Sequence, residues 1–370
     1  MDKRIVIFHS SNDLYGASKI LLQIIKLLKQ NGFETHVFLP YKGPLDNILL
    51  ENNVILNHLN FGVLRRRYFN FFGFLNRLLK ILCAVIEINN YIKKNNIDLA
   101  YTNTSVILAS GISAKLCKIP NFLHIHEIPD NKFYTIILGS LISFFSSRVI
   151  VVSKSVKSHW DSFISQDLKI IYNGIPIINK KIIPKKSSKQ IKFLTLARLL
   201  PYKGHKYIIE IANHLIKKGL DIEFIFVGDV FKGYESYELE LKSLVKSLKI
   251  DNHILFKGFD KNVDKYLIES DFLLHGAINP DPLPTVIFEA IQYNLPVIST
   301  KQGGAIEILD NGKGGLLITL KDSLKASNEI YNYIINKELI KEKTEYSMNF
   351  MSKNFSKEKF ENKLLKIITY

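Results

Sequence analysis

At 370 residues the chain exceeds one ordinary core and suits two α/β domains, each large enough to bury most of its apolar surface. With 47% hydrophobic and 23% charged residues, and Gly and Pro scattered rather than clustered, the composition excludes a disordered or fibrous chain. The formal net charge is +16, and residues 1–180 hold 21 Lys and Arg against 11 Asp and Glu, so the first half points to an anionic partner.

Cys83 and Cys117 are too few for a disulfide framework or a Cys-based metal site, which fits a reducing cytoplasm. The N-terminus runs straight into Ile5-Val6-Ile7-Phe8, too short an apolar run for a signal peptide, so export is not expected. Residues 133–145 form the longest nearly uncharged stretch; interrupted by Thr135, Gly139, Ser140 and Ser143, it falls short of a bilayer span.

In chain order, apolar runs predict strands at 4–9, 35–39, 99–103, 122–127, 148–153 and 169–172, with helical periodicity between them. That alternation is a doubly wound α/β unit. A lysine-rich stretch with Pro184 and Ser187-Ser188 predicts a linker over 179–192. Beyond it, strands are predicted at 192–197, 222–227, 253–257, 272–275, 296–300 and 316–318, with helices at 205–218 and 236–249 among them. The tail, 321–370, reads as helix. The predicted domains are therefore 1–178 and 193–352, with 353–370 packing back on the first.

Arg198 closes one strand and Lys203-Gly204 opens the next helix, so two cations converge on a strand-to-helix turn. Helix N-terminal amides and cations both favour a pyrophosphate, and ligands of open α/β sheets lie at the carboxyl ends of strands. A solvated basic turn accounts for the same residues. Asn279 to Glu289 follows another strand and places two carboxylates eight residues apart. Pro282 and Pro284 forbid a helix through that stretch, which puts Asp281 on a loop and Glu289 one turn inside the next helix. A carboxylate accepts hydrogen bonds, which suits ribose hydroxyls at Glu289 and hexose hydroxyls at Asp281. Surface acids stabilised by a helix dipole are the plainer alternative. Gly303-Gly304 lets backbone amides approach a phosphate, or forms a simple turn.

These motifs resemble the family-four retaining glycosyltransferases of the GT-B fold along nearly the whole chain. The resemblance rests on Leu14-Tyr-Gly-Ala-Ser18, His124-Ile-His-Glu127, Val152-Ser-Lys-Ser155, Tyr172-Asn-Gly174, Arg198 with Lys203-Gly204, Phe226-Val-Gly228, and Pro280 through Glu289. It implies two Rossmann-like domains facing each other across a donor cleft. In it Arg198 and Lys203 hold the donor diphosphate and Glu289 holds the ribose. Asp281, Leu283, Pro284, Thr285, Gly303 and Gly304 would complete the donor site, while Gly16 approaches the phosphates from the first domain. His126 would lie near the reacting sugar, making His126, Asp281, Arg198 and Lys203 the catalytic set. His126, beside Glu127, would position the donor or act on a proton; a satisfied structural histidine is the alternative. His124 is assigned to the opposite side of the strand, as packing.

The implied reaction moves a hexose from a UDP-, GDP- or dTDP-sugar to a glycan or polyprenyl-linked acceptor. No cofactor is implied, and without an Asp-x-Asp motif no metal is expected. One departure from the family stands out: its paired-glutamate pattern has Glu at the first position, where this chain has Asp281, which leaves the donor sugar open. The rivals are a nucleotide-sugar epimerase on the same architecture and a non-catalytic partner subunit that keeps the nucleotide site.

Residues 61–94 mix Arg65-Arg66-Arg67, Arg77, Lys80, Lys93 and Lys94 with Tyr68, Phe69, Phe71, Phe72 and Phe74, against Glu87 alone. This suits an anionic membrane interface, or equally a core-facing helix with a solvated basic face. Nucleic acid is a poorer partner, since no basic-aromatic recognition module is present. A basic acceptor domain fits bacterial surface-polysaccharide assembly at the inner face of a plasma membrane.

Overall fold

The computed structural model describes residues 3–14, 16–64, 70–176, 190–230 and 233–369. The chain divides into two compact units, Met1–Gly174 with Phe360–Tyr370, and Ile175–Lys359. In the first, β1 (Arg4–Phe8), α1 (Gly16–Gln30), β2 (Glu34–Leu39), α2 (Leu45–Glu51) and β3 (Ile55–His58) lead to the long α3 (Phe71–Lys94). Then follow β4 (Leu99–Thr102), α4 (Leu108–Leu116), β5 (Asn121–Ile125), α5 (Lys132–Phe145), β6 (Arg148–Val151), α6 (Lys154–Trp160) and β7 (Leu168–Ile170). The strands pair in parallel in the order β3-β2-β1-β4-β5-β6-β7.

The sequence of β1 explains its central place. Ile5 and Ile7 enter one core with Ile20 and Ile24 of α1, whereas Val6 and Phe8 enter the other with Ile81 and Ile88 of α3. Side chains alternate between faces, so a strand covered by helices on both sides must be apolar at every position. The edge strand β3, absent from the predicted elements, has one neighbour and no fully buried side chain. It therefore lacks the continuous apolar run that marks the others.

The second unit runs β8 (Ile191–Leu196), α7 (His205–Lys217), β9 (Ile222–Val227), α8 (Glu235–Leu248), β10 (Ile254–Phe256), α9 (Asp264–Glu269) and β11 (Phe272–His275). It continues with α10 (Thr285–Gln292), β12 (Val297–Thr300), α11 (Gly304–Ile308), β13 (Leu316–Ile318), α12 (Ser323–Ile334) and α13 (Lys337–Asn354). Its parallel sheet has the order β10-β9-β8-β11-β12-β13. Phe193 stacks between Phe224 and Phe272, at ring separations of 4.7 and 5.3 Å, and ties three adjacent strands into one core.

The helical tail is three helices rather than one. Asp322 and Asn336 cap α12 and α13 by accepting from Lys325 N and Leu339 N, and α14 (Lys357–Thr369) follows a break after Asn354. Phe360, Leu364 and Ile368, spaced one helical turn apart, enter the first core. The returning segment thus starts at Phe360 and not at 353, because α13 belongs to the second unit to its end. Most of the predicted 179–192 linker falls outside the described residues, and β8 already begins at Ile191.

In each sheet the strand order reverses once, between β1 and β4 and between β8 and β11. Loops leaving adjacent strands at such a switch point turn to opposite faces and leave a crevice at the carboxyl ends, where open α/β sheets bind ligands.

Candidate functional site

The switch point of the second unit gathers three predicted segments. After β8 the chain passes Arg198 and enters a single 3-10 turn, Pro201–Lys203, before α7. Gly204 joins the two with φ +77°, and a Cβ there would lie 1.8 Å from the carbonyl oxygen of Gly276. Only glycine allows that approach. Ile278 N donates to Tyr202 O at 2.9 Å, so the turn after β8 is fastened to the segment leaving β11.

Lys203 and Asp281 meet there. Lys203 Nζ lies 2.5 Å from Asp281 Oδ2, and His275 Nε2 lies 3.6 Å from the same oxygen. Burial by itself would raise the Asp281 carboxyl, but the charge of Lys203, aided by His275, outweighs it and holds the group well below the usual carboxylate range. His275 is buried, with Nδ1 3.0 Å from Ser299 Oγ on the neighbouring β12.

Gly303 has φ 58° and ψ −153°, a conformation essentially restricted to glycine, and a Cβ on it would lie 2.4 Å from Asp281 O. Gly304 N donates to that carbonyl at 2.8 Å. The two glycines therefore hold the acid loop. The Gly304 amide, expected to face a phosphate, is engaged by the Asp281 backbone. Leu283 is buried beneath Gly304, Pro284 precedes α10, Thr285 is its first residue, and Glu289 sits half-buried within it. The structure thus joins Lys203, Asp281, Gly303 and Gly304 directly, with Arg198 on the turn that carries Lys203.

Gly16 and His126 belong to the first unit. Gly16 opens α1, and His126 stands one residue past β5. His126 Nε2 is 2.9 Å from Asn103 Oδ1, and Asn103 follows β4, the strand beside β5. Glu127 is not the partner of the His126 ring. Its carboxylate accepts from Thr104 Oγ1, from Ser105 N and Oγ at 3.2 and 3.0 Å, and from His126 N at 3.2 Å. It shapes the loop.

His124 is not on the opposite side from His126. Residues two apart share a face of a strand, and the two rings are 4.3 Å apart, with His124 Nδ1 2.8 Å from Tyr101 OH. His124 is wholly buried, and burial pushes it down to about 3. Burial, reinforced by the neighbouring His124 and His9, holds His126 well below the usual histidine value. Both rings are neutral at pH 7. Asn103, His9 and His275 were missed from sequence; each lies at the carboxyl end of a central strand, a polar residue closing an apolar run, and that position is the signal that could have found them.

Arg65, Arg66, Arg67, Tyr68 and Phe69 of the basic stretch lie outside the described residues. In α3 the core stripe is Arg77, Ile81, Ala84, Val85, Ile88 and Ile92, so Arg77 is not part of a solvated basic face. Phe71, Phe72 and Phe74 are 78, 81 and 65% exposed, and Leu75, Leu78, Leu82 and Ile86 continue the exposed stripe. α4 packs against both α3 and α5, and α5 exposes Phe133 and Phe144. Among the described residues no group of three or more His, Cys, Asp or Glu is placed to hold a metal ion, and no helix is long and apolar enough to cross a membrane.

Two family models match the chain: Glycosyltransferase Family 4 over residues 15–177 and Glycosyl transferases group 1 over residues 177–350. An uncharacterised glycosyltransferase of Methanocaldococcus jannaschii is 27% identical over 235 residues, which are 60% of this chain and 58% of that protein. A probable sucrose-phosphate synthase of Thermosipho melanesiensis is 31% identical over 160 residues, 40% of this chain and 37% of that one. The matched part is thus less than two thirds of either relative. Among solved structures, HepE of Anabaena in complex with UDP and glucose superposes with a TM-score of 0.81 at 22% identity over 99% of both chains. Sucrose-phosphate synthase of Thermosynechococcus elongatus gives 0.78 at 14% identity, over 99% of this chain and 98% of that one. These likenesses establish the fold. With both halves matched, the chain belongs to the glycosyltransferases of family 4 and group 1, and has the GT-B fold.

Proposed function

We propose that the chain is a retaining hexosyltransferase that uses a nucleotide-sugar donor, a UDP-, GDP- or dTDP-sugar, and a glycan or polyprenyl-linked acceptor in bacterial surface-polysaccharide assembly. The observation that carries the reading is the Lys203–Asp281 pair at the switch point of the second unit, fastened by Gly204, Gly303 and Gly304. A diphosphate arriving there takes over Lys203 from Asp281, and Arg198 on the same turn adds a second cation. Departure of a nucleoside diphosphate develops negative charge on its phosphates, and preorganised cations stabilise that charge most in the transition state. Glu289 accepts from the ribose hydroxyls, Asp281 and His126 serve the hexose, and Gly16 lets α1 approach the phosphates. That HepE of Anabaena is seen with UDP and glucose supports a nucleotide-sugar donor here.

The purified enzyme is expected to release nucleoside diphosphate when donor and acceptor are both present. Glu289→Gln and Lys203→Ala should each lower turnover at least a hundredfold; full turnover in either overturns this site. Leaving-group stabilisation is assigned to Arg198 and Lys203 rather than to a divalent ion, so turnover is expected to survive EDTA. Loss of activity that magnesium or manganese restores would refute that assignment.

The acceptor side is read as a membrane surface. The phenylalanines exposed on α3 and on α5 are assigned to enter the bilayer, with Lys80, Lys93 and Lys94 on α3 and Lys132 on α5 meeting anionic headgroups at the inner leaflet. Burying one ring contributes about 2 kcal/mol. Phe71→Ser/Phe72→Ser/Phe74→Ser should therefore weaken sedimentation with phosphatidylglycerol-containing vesicles more than tenfold. No binding of the parent chain to such vesicles at low salt sinks the idea.

A further inference from the structure

Polar side chains at the carboxyl ends of β1, β4 and β5 are tied into one continuous chain of hydrogen bonds. Ser18 Oγ, on α1, donates to Asp13 Oδ1 at 3.0 Å. His9 Nε2 lies 3.1 Å from Ser18 Oγ, and His9 Nδ1 lies 3.2 Å from Asn103 Nδ2. Asn103 Oδ1 then lies 2.9 Å from His126 Nε2. Ser18, His9 and Asn103 are each at most 1% exposed, so water does not substitute for these partners.

The carboxylate sets the direction of every bond. A carboxylate oxygen only accepts, so the single hydroxyl proton of Ser18 goes to Asp13 and a lone pair faces His9. His9 Nε2 must then carry a proton to donate, and Ser11 Oγ, 3.4 Å away, shares it. Burial holds His9 down at about 4, so at pH 7 the ring has that one proton and a bare Nδ1. A bare nitrogen accepts, which orients the Asn103 amide with its NH2 toward His9 and its oxygen toward His126. That oxygen also accepts only, so the proton of the neutral His126 ring sits on Nε2.

We propose that Asn103 is a positioning residue which, through this chain anchored at Asp13, locks His126 in the Nε2-protonated tautomer and leaves its Nδ1 to accept a hydrogen bond from a hydroxyl of the bound sugar. His126 then receives a hydrogen bond from the sugar and does not give one. The His124 ring packed 4.3 Å away holds the imidazole from the side. This rests on the reading that His126 serves the hexose, but the tautomer itself is observable without substrate.

The test is long-range proton–nitrogen NMR on the full chain carrying 15N-labelled histidine, with His126→Gln and His9→Gln assigning the signals. In the parent chain, His9 and His126 should both show a protonated Nε2 and a bare Nδ1. Asn103→Ala should shift the two His126 nitrogens toward the average of the two tautomers. Asn103→Asp keeps an acceptor for His126 and sets a carboxylate against His9 Nδ1, so His126 should stay protonated at Nε2 while His9, its Nε2 still donating to Ser18, takes up a second proton on Nδ1. That variant is also the fallback if the alanine variant does not fold. A parent His126 protonated on Nδ1, or nitrogen shifts that Asn103→Ala leaves unchanged, would overturn the proposal. In turnover, Asn103→Ala should lower kcat at least tenfold at unchanged donor KM, with Asn103→Asp restoring most of it. A shifted tautomer with unchanged kcat would overturn the link to the sugar, whereas a chain that releases no nucleoside diphosphate from any donor would defeat the transferase reading with the NMR result still standing.

Discussion

Removing either member of the Lys203–Asp281 pair should have unequal consequences for stability and for nucleotide binding. At 2.5 Å and an effective dielectric near 20, the gross Coulomb attraction is about 7 kcal/mol, most of it offset by the desolvation of both groups. The side chains are 24% and 16% exposed, so the loss on breaking the pair should fall below the usual range for buried pairs, at about 2 kcal/mol for Lys203→Met. Asp281 is depressed in the folded state, so its contribution is complete above the ordinary carboxylate value of about 3.9, declines below it, and is gone only once pH has fallen through the lower folded-state value; at pH 7.5 it is fully present. A double-mutant cycle of Lys203→Met and Asp281→Asn in urea should give a coupling of about 1–2 kcal/mol. For UDP the two variants should part: Lys203→Met weakens binding more than tenfold, whereas Asp281→Asn removes the competitor for Lys203 and tightens it about threefold. A coupling below about 0.5 kcal/mol, within additivity error, would refute the pairing. Calorimetry in which Asp281→Asn weakens UDP as much as Lys203→Met does would refute the exchange.

Gly204→Ala forces a methyl carbon to within 1.8 Å of the Gly276 carbonyl oxygen at φ +77°, so a loss of about 3 kcal/mol and a Tm drop of about 6–12 °C are expected; a drop under about 3 °C would contradict the close approach. Gly303→Ala meets Asp281 O at 2.4 Å and should lower Tm while abolishing UDP binding, since the acid loop must move; calorimetry on the folded variant checks this. His9, His124 and His205 are held by burial at about 4, 3 and 4, below the unfolded value of about 6.5. Their stabilisation is complete above pH 6.5 and is lost as pH falls toward 4, by up to about 1.4 kcal/mol per pH unit per histidine. Urea midpoints that stay level between pH 7.5 and 5 would refute it.

Much of the fold can be read directly from the chain because the central strands are buried on both faces. Ile5-Val6-Ile7-Phe8 must be continuously apolar when alternate residues enter different cores, and such a run is visible without knowing its neighbours. Ile55–His58 has no such obligation at the sheet edge, and nothing in its composition distinguishes it from a loop. His124 and His126 show a different failure: the period of two was available, and it places them on one face. The break after Asn354 depends on Ile175, whose N–H donates to Phe355 O at 2.9 Å, a partner that local periodicity does not contain.

The chemistry divides along the same line between what is local and what topology brings together. Arg198, Lys203, Asp281 and Gly303 stand where a strand ends and a turn begins, and that address is written locally. Their mutual arrangement is not. Lys203 and Asp281, expected to line a ligand site, also meet each other, because the adjacent strands β8 and β11 bring the turns that follow them together. The shorter acid suffices in this arrangement: with Gly303 pressed against the Asp281 backbone, its carboxylate already reaches Lys203 at 2.5 Å. Asn103 bridges His9 and His126 for a similar reason, since β1, β4 and β5 are adjacent in the sheet although 94 and 23 residues separate the bonded pairs. In both units the reversal of strand order places polar residues from distant segments side by side, and the glycines then decide how closely the backbones that carry them can approach.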